Sequence, residues 1–295
     1  MAIPYSDDDA RILDKHLQVK ISGSWRNLEK VYVKDAGAWR DCKAVYIKQN
    51  GAWQEIHQGE HFQFNVNLTG DDANTFNLSN WLVGQGWNGS QAIKGVVTVS
   101  RLQGGTPAME IGALGGGTSR VYVKIAAGQR IQARGGDGGS RGCSGGQGGY
   151  TGLYTRTNVA IANYGILAGG GGGGGGGNNG SCSGQYCWNY GCMKGSQCQS
   201  CGGYSYGVNG GGGGGGAGYP GGSGRDGGGN GNINGGGGGG GSNGCGSNGG
   251  GSGGGIGADG QNSSCGGGQR GPYIDGASYV YNWVNQGDVR GRSIN

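Results

Sequence analysis

Proline, histidine and charged residues are scarce in this sequence of 295 residues. Its four prolines exclude a collagen triple helix, which needs abundant proline within a strict Gly-X-Y repeat. No apolar run approaches the ~18 residues of a membrane-spanning helix, and residues 1–17 contain no apolar signal-peptide core. Because three histidines and few carboxylates leave little material for catalysis, we expect a protein that is not an enzyme and has no cofactor.

Glycine, in contrast, makes up 82 of the 295 residues, against roughly 7% in ordinary globular proteins. Of these glycines, 63 lie between residues 135 and 271. A glycine-rich segment without a period is typical of low-complexity disorder. Here, however, the non-glycine residues Asp137, Ser140 and Cys143 lie three apart, as do Gln147 and Tyr150. This partial period of three favours an ordered scaffold.

A bundle of extended helices suits such a segment better than an α-helix or a sheet. Glycine costs about 1 kcal/mol per residue relative to alanine in an α-helix, and a sheet of bare glycine has no side chains to pack. A left-handed helix with three residues per turn has no internal hydrogen bonds, so its N–H and C=O groups can pair with close neighbouring helices. We therefore predict a polyglycine-II domain over residues 130–275, with the glycine runs 169–177, 210–216 and 235–241 in its interior.

The N-terminal part contains three copies of a 14-residue repeat, in which Trp25, Trp39 and Trp53 occupy the same position. Each copy alternates like a strand, turns at a glycine and continues with a Trp-bearing strand, which is typical of a β-hairpin. Residues 17–58 are thus predicted to form three hairpins after an N-terminal arm, residues 1–16. Either the tryptophans form the core of a small β-meander, or they attach the chain to a three-fold symmetric partner. Isolated hairpins are marginal in water, which favours a partner.

The remaining segments also have the pattern of β-structure. Residues 59–129 contain alternating or apolar runs separated by Gly, Asn and Pro, which predicts an antiparallel connecting domain. Residues 276–295 are predicted to return as a C-terminal strand. The predicted fold class is an all-β N-terminal region, made of hairpin repeats and an antiparallel β-domain, followed by a polyglycine-II helix bundle, with essentially no α-helix.

Two segments carry a resemblance to a known family. RIQARGGDGGSRGCSGGQGGYTG at 130–152 leads from a strand into a Gly-x-Gly-Gly pattern, and VAIANYGILAGGGGGGGGG at 159–177 opens a long glycine run after Asn-x-Gly-Ile. This arrangement resembles the glycine-rich distal adhesin at the tip of the long tail fibre of T-even-type bacteriophages. The resemblance covers roughly residues 130–271, whereas the 14-residue repeat departs from the attachment domain of that family.

The resemblance implies a non-enzymatic adhesin at the tip of a virion tail fibre, assembled in the host cytoplasm. Its partners would be a trimeric tail-fibre protein and a bacterial surface receptor. The equal spacing of Trp25, Trp39 and Trp53, rather than the resemblance, predicts that these residues contact the fibre protein. The receptor would be an outer-membrane protein or a polysaccharide, bound by loops on a layered polyglycine-II scaffold. Neither nucleic acid nor membrane insertion is expected.

The segments between the glycine runs supply the candidate receptor-binding residues. Loops on a rigid scaffold commonly carry binding sites, and Tyr, Trp, Ser, Gly and Asn are the residues that antibody loops use. The alternative is that these aromatic residues only cover the bundle. The candidates, mostly in the insertion 178–209, are Tyr186, Trp188, Tyr190, Tyr204, Tyr206 and Tyr219.

The nine cysteines permit two interpretations. Disulfides would stabilise an extracellular loop, although a virion assembles in a reducing cytosol and would form them after lysis. Zinc usually needs four ligands, often as two CxxC pairs, and only Cys198 and Cys201 have that spacing, so no metal site is predicted. The connectivity cannot be deduced from sequence, and Cys42 is expected to stay free. The disulfide candidates are Cys143, Cys182, Cys187, Cys192, Cys198, Cys201, Cys245 and Cys265.

Other function classes fit the sequence less well. A structural tail or fibre component without receptor contact is the main alternative. An ice-binding protein would want a flat, regular face of small residues. RNA binding through Arg-Gly-Gly segments would need more arginines than Arg134, Arg141, Arg225 and Arg270.

Overall fold

The computed structural model describes most of the chain. The described residues are 18–21, 24–27, 32–41, 44–49, 52–58, 61–115, 119–191, 197–242 and 247–295. The predicted N-terminal arm, residues 1–16, lies outside them, as do Cys42, Cys192 and Cys245.

Each 14-residue repeat forms a two-stranded antiparallel hairpin, as predicted. In the central hairpin the two turn residues, Ala36 (φ 48°) and Gly37 (φ 84°), both have positive φ. This is the geometry of a type I′ turn, whose twist matches that of the flanking strands. The strands are β1 (Gln18–Ile21), β2 (Ser24–Asn27), β3 (Tyr32–Asp35), β4 (Ala38–Asp41), β5 (Ala44–Gln49) and β6 (Ala52–Gln58).

Beyond the hairpins the chain winds through five successive coils, most of which contribute one strand to each of three sheets. The first two coils contain β7 (Phe62–Thr69), β8 (Phe76–Asn77), β9 (Ile93–Ser100), β10 (Leu102–Gln103) and β11 (Met109–Ile111). The third and fourth contain β12 (Arg120–Ile125), β13 (Arg130–Gln132), β14 (Leu153–Thr155), β15 (Asn158–Asn163), β16 (Ile166–Ala168) and, after an inserted hairpin of β17 (Gly180–Gly191) and β18 (Gln197–Val208), β19 (Pro272–Asp275). The fifth contains β20 (Val280–Asn285), β21 (Asp288–Arg290) and β22 (Arg292–Ile294).

The strands of successive coils stack in parallel. The first sheet has the order β7-β9-β12-β15-β20, the second β10-β13-β16-β21, and the third β8-β11-β14-β19-β22. A parallel bridge between Asp72 and Gln103 continues the second sheet into the first coil. Within the described part of the chain, all pairings in these sheets are parallel, so this region is a three-sided parallel β-helix.

The prediction of an antiparallel domain at 59–129 is therefore wrong. Short gaps between strands usually indicate hairpins, because a parallel neighbour is reached only through a crossover of a dozen or more residues. In this β-helix the chain passes through the other two sheets before it returns to the first, and their strands form that crossover. The alternation of apolar and polar residues predicts each strand, but it does not predict which other strand pairs with it.

One hydrophobic core lies between the three sheets. Val97, Val123 and Ile161 of the first sheet meet Leu167 of the second and Leu153 of the third in one buried cluster. Each such side chain contributes about 1.5–3 kcal/mol when it is fully buried. Trp87 belongs to this cluster, and Trp81 packs against it.

The described part of the chain contains one short α-helix, α1 (Leu78–Gly84), which agrees with the prediction of essentially no α-helix. The side chain of Asn77 accepts a hydrogen bond from the amide of Asn80 at 2.9 Å and caps its N-terminus. Leu78 and Leu82, four residues apart, face the core. Seven residues with one such pair give too little periodicity for sequence prediction. A 3-10 helix follows at Ala277–Tyr279.

The glycine-rich part is inserted into the β-helix. Residues 133–152 lie between β13 and β14, and residues 169–271 lie between β16 and β19, so both insertions leave the second sheet and return to the third. Residues 130–132, 153–168 and 272–294 belong to the same sheets as residues 62–125. Each of the three sheets therefore contains strands from more than one of the predicted segments 59–129, 130–275 and 276–295. The last segment forms three strands rather than one.

The segment 169–177 shows how the glycine-rich part is bonded. All nine of its amides donate to carbonyls outside the segment. Successive amides turn to different neighbours, and every third amide returns to the same one: 144–150, 211–217 or 258–261, apart from Gly169, which donates to Arg290. Its carbonyls accept from three further segments, 136–142, 251–254 and 268–271. Six chain segments therefore surround this one.

Burial differs among the three glycine runs. Residues 169–177 and 210–216 are buried throughout, as predicted for interior segments. The run 235–241 is not interior, since Gly238, Gly239 and Gly241 are exposed. An uninterrupted run of glycine shows that close neighbours are possible, but it does not show on how many sides they are present.

Candidate functional site

The insertion 178–209 forms the long antiparallel hairpin of β17 and β18. Its register is uninterrupted from the pair Gly180↔Val208 to the pair Gly191↔Gln197. Twelve residues of strand span about 40 Å. The hairpin leaves and re-enters the glycine-rich part between the buried runs 169–177 and 210–216.

The five aromatic candidates of this hairpin occupy positions on one face. Tyr186, Trp188 and Tyr190 are alternate residues of β17, and alternate residues of a strand share a face. Tyr204 and Tyr206 of β18 pair with residues 184 and 182, which belong to the same alternating series. Directly paired residues also share a face, so the register gathers all five on one side. We call this side the aromatic face.

The opposite side of the hairpin has a different composition. It carries polar residues, glycines and two cysteines at positions 181, 183, 185, 187, 189 and 191 of β17 and 197, 199, 201, 203, 205 and 207 of β18. No aromatic residue occupies these positions. We call this side the polar face. The sequence and the register together therefore give the hairpin one aromatic side and one polar side.

The base of the hairpin is fixed by asparagine and serine side chains. The Gly210 amide donates to Asn179 Oδ1 at 3.0 Å, and the Asn178 amide donates to Ser264 Oγ at 3.3 Å. Asn248 Nδ2 donates to the same Ser264 hydroxyl at 2.7 Å. These contacts tie the hairpin to two neighbouring turns. No pattern in the sequence marks these contacts.

A disulfide between Cys143 and Cys265 lies at the same end of the glycine-rich part. The two Cα atoms are 5.2 Å apart, although 122 positions separate the residues in sequence. The Cys143 amide donates to the Gly177 carbonyl at 3.3 Å, which places the bridge beside the hairpin base. Two of the disulfide candidates are thus confirmed, and they are paired with each other.

Tyr219 is not brought together with the hairpin aromatics. Its carbonyl accepts from the Gly105 amide at 3.0 Å, and its own amide donates to Ala133 at 3.1 Å. Gly105 and Ala133 lie just after β10 and β13, where the chain leaves the second sheet of the β-helix. Tyr219 therefore lies at the junction of the β-helix and the glycine-rich part. Receptor contact by Tyr219 stays a prediction.

The central N-terminal hairpin presents its tryptophan to solvent. Trp39 is 69% exposed, and Lys34 Nζ lies 5.9 Å from the centre of its ring. Lys34 and Trp39 form a cross-strand pair. The backbone pairs Lys20 with Trp25 and Lys48 with Trp53 in the same way, so the three repeats are equivalent in register.

The described residues offer no group of three or more His, Cys, Asp or Glu side chains that could hold a metal ion. In the same part of the chain, no helix is long and apolar enough to cross a membrane.

Comparison with known proteins gives the family. The family model of the phage tail fibre adhesin Gp38 matches residues 63–294. The chain belongs to the Gp38 tail fibre adhesin family. Among solved structures, the gp37-gp38 adhesin tip complex of the bacteriophage S16 long tail fiber is similar, with 25% sequence identity and a TM-score of 0.50. The likeness covers 81% of this chain and 84% of that one, while no curated protein sequence matches.

Membership in the Gp38 family confirms the resemblance seen in the sequence and identifies a bacteriophage protein of the virion. The family match begins at residue 63, so it covers the β-helix and the glycine-rich part but not the three Trp hairpins. The aromatic face lies inside the matched region. Its alternation at Tyr186, Trp188 and Tyr190 is a strand signal that could have revealed the hairpin from sequence.

Proposed function

We propose that the protein is a non-enzymatic tail-fibre tip adhesin that binds a bacterial surface receptor through the aromatic face of the β17–β18 hairpin. The observation that carries the proposal is the register of this hairpin, which places five aromatic residues on one side, in a chain of the Gp38 adhesin family. Tyr and Trp supply large contact area at low cost in side-chain entropy, which suits a recognition surface.

We further propose that the glycine-rich part is a bundle of polyglycine-II helices. Its hydrogen bonds support this, because the amides of residues 169–177 return to the same neighbour every third residue and none bonds within the segment. At the bundle edge, a Cβ atom at Gly235, Gly238 or Gly241 would meet nothing within 4 Å, whereas one at Gly237 would meet the Gly229 carbonyl oxygen. Positions with room for a side chain thus recur every three residues along this run.

Such a bundle is a rigid spacer. At ~3.1 Å per residue, the nine residues 169–177 extend over roughly 28 Å between strand β16 and the hairpin base. The rigidity follows from hydrogen bonds on every side of each interior segment. The bundle would hold the aromatic face away from the β-helix, where it can reach a cell surface.

The proposed partners are a fibre protein and a surface receptor. The similar solved structure is a complex of gp37 with gp38, which supports a fibre protein as the partner that this chain caps. We propose that this partner is trimeric, that Trp25, Trp39 and Trp53 contact it, and that assembly occurs in the host cytoplasm. The 69% exposure of Trp39 supports this role, because a core residue of a meander would be buried. The receptor is an outer-membrane protein or a polysaccharide.

Binding to whole host cells tests the proposal. The full chain and a variant in which residues 180–208 are replaced by a short Asn-Gly turn are labelled and incubated with host cells. We expect saturable binding of the full chain and background binding of the variant, at equal thermal unfolding midpoints. Equal binding of the two proteins would refute the assignment of the site to this hairpin.

A further inference from the structure

The polar face of the hairpin contains two cysteines at directly opposed positions. The uninterrupted register of β17 and β18 pairs Cys187 with Cys201. The other cysteines in the described part of these strands have different partners, since Cys182 pairs with Tyr206 and Cys198 with Tyr190. Within this part of the hairpin, 187 and 201 are therefore the positions at which two cysteines meet.

Direct pairing in an antiparallel ladder satisfies the backbone requirement of a disulfide. Opposed residues have Cα atoms about 4.5 Å or about 5.5 Å apart, depending on whether the pair exchanges hydrogen bonds. Both separations fall within the range of about 4.4–6.8 Å found for disulfides. The disulfide between Cys143 and Cys265, at 5.2 Å, lies in the same range.

We infer that Cys187 and Cys201 form a cross-strand disulfide that locks the register of the hairpin. This inference deepens the proposed function, on which its consequence for binding rests. A two-stranded hairpin is only marginally stable in water, and this one extends for twelve residues per strand. A bond between the strands fixes the alternation that gathers the five aromatic positions on one side. Because the bond lies on the polar face, it leaves the aromatic face unobstructed.

The bond forms by oxidation of two thiols. The thiolate of one cysteine attacks a low-molecular-weight disulfide and releases one thiol. The second cysteine then attacks the mixed disulfide and releases the other thiol. Two protons and two electrons pass from the cysteine pair to the reagent, which is reduced to two thiols. In a virion this step follows lysis, because the cytosol keeps thiols reduced.

The bridge orders the segment before it meets a receptor. Ordering a flexible surface on binding reduces affinity, and a cross-link removes part of that cost. The reduced hairpin should therefore bind more weakly than the oxidised one, with identical contacts.

Mass spectrometry tests the connectivity on the full chain. The protein is oxidised with glutathione disulfide, its free thiols are alkylated, and it is digested with trypsin, which cleaves after Lys194, between β17 and β18 in the sequence, and so separates the two strands. A background variant with Cys182→Ser, Cys192→Ser and Cys198→Ser keeps only Cys187 and Cys201 in the hairpin. We expect its two strand peptides to be joined, and to be lost as a joined species in the same background with Cys201→Ser.

The digest contains its own control, and its results either support or overturn the inference. A peptide pair joined by Cys143 and Cys265, with neither residue found alkylated, shows that the oxidant acted on the protein. Alkylated thiols at both Cys187 and Cys201 in that digest would overturn the inference, as would a bond from Cys187 to Cys192 or Cys198 in the unmutated chain. A joined pair in a protein that does not bind host cells would leave the bridge intact and refute the proposed function instead.

Discussion

A Cβ atom at Gly173 would lie 2.0 Å from the carbonyl oxygen of Asp137. The two residues belong to neighbouring segments of the glycine-rich part, and such contacts recur along 169–177, with closest distances of 2.4 Å or less to neighbouring backbone atoms. Real Cβ contacts are longer than 3.0 Å, so these segments can pack as they do only without side chains. Glycine here is required by the distance between backbones rather than by an unusual φ.

The first prediction concerns this packing. Gly173→Ala should lower the free energy of unfolding by about 1–3 kcal/mol or more, because a methyl group forces apart a rigid set of backbone segments. Gly238→Ala is the matched control, since a Cβ atom there meets nothing within 4 Å. It should change stability by less than about 0.5 kcal/mol. Denaturant unfolding of the two variants measures both, and equal stabilities would contradict the packing described above.

The second prediction concerns the disulfide beside the hairpin base. Replacing both Cys143 and Cys265 by serine should destabilise the protein by about 2–4 kcal/mol, since a bridge across 122 residues restricts the unfolded chain. The thermal unfolding midpoint should fall to near that of the wild type in dithiothreitol. Added reductant should have a much smaller effect on the double variant. Equal midpoints for the wild type and the double variant under oxidising conditions would show that the bridge contributes nothing.

The third prediction concerns pH. Burial lowers the pKa of Lys94 from 10.5 to about 8, and the nearby Arg120 acts in the same direction. Between about pH 8 and 10.5 the unfolded chain therefore binds more protons at Lys94 than the folded chain does, and this contribution to the free energy of unfolding rises with pH. Below pH 8 the charged ammonium is present in both states, and its burial destabilises the fold.

Lys94→Met tests this sign. The variant should be more stable than the wild type near pH 7, and the difference should shrink as the pH rises through the window from 8 to 10.5. Thermal unfolding at several pH values measures the difference. Lys34→Met, at an exposed residue of the central hairpin, controls for the loss of one positive charge. A difference that stays constant with pH would contradict the assignment to Lys94.

The fourth prediction concerns attachment. Trp39→Ala should leave the unfolding midpoint unchanged, because the side chain is 69% exposed, and should reduce co-purification with the tail-fibre protein of the same phage. The control variant Val33→Ala removes another exposed apolar side chain. Val33 pairs with Arg40 across the hairpin, whereas Trp39 pairs with Lys34, so Val33 lies on the opposite face from Trp39. The control variant is expected to co-purify normally. A stable Trp39→Ala protein that still co-purifies at wild-type yield would exclude this residue from the fibre contact.

The features that the sequence predicted well are local or periodic. Trp25, Trp39 and Trp53 recur every 14 residues beside glycine turns, and the hairpins follow from turn geometry over a few residues. The spacing of Asp137 and Ser140 identified a period of three, and the amides of Gly136, Gly139 and Gly142 donate with that period to the carbonyls of 169–177.

The features that the sequence did not predict depend on contacts between distant segments. Val97 pairs with Val123, and Val123 with Ile161, but an apolar strand of this length is compatible with either direction of pairing. The fourth coil is also interrupted, because 103 residues between Ala168 and Pro272 separate two of its strands. Such a gap hides the repeat of the coil. The Cys143–Cys265 pairing is equally non-local.

Host-cell binding by two matched hairpin variants tests the central claim most directly. One variant changes Tyr186, Trp188 and Tyr190 of the aromatic face to serine. The other changes Gln185, Asn189 and Gln199 of the polar face to serine. With unfolding midpoints equal to that of the wild type, the first should lose at least about tenfold in affinity, which corresponds to about 1.4 kcal/mol, and the second should bind within about twofold of the wild type. Wild-type affinity of the first variant would contradict recognition through the aromatic face.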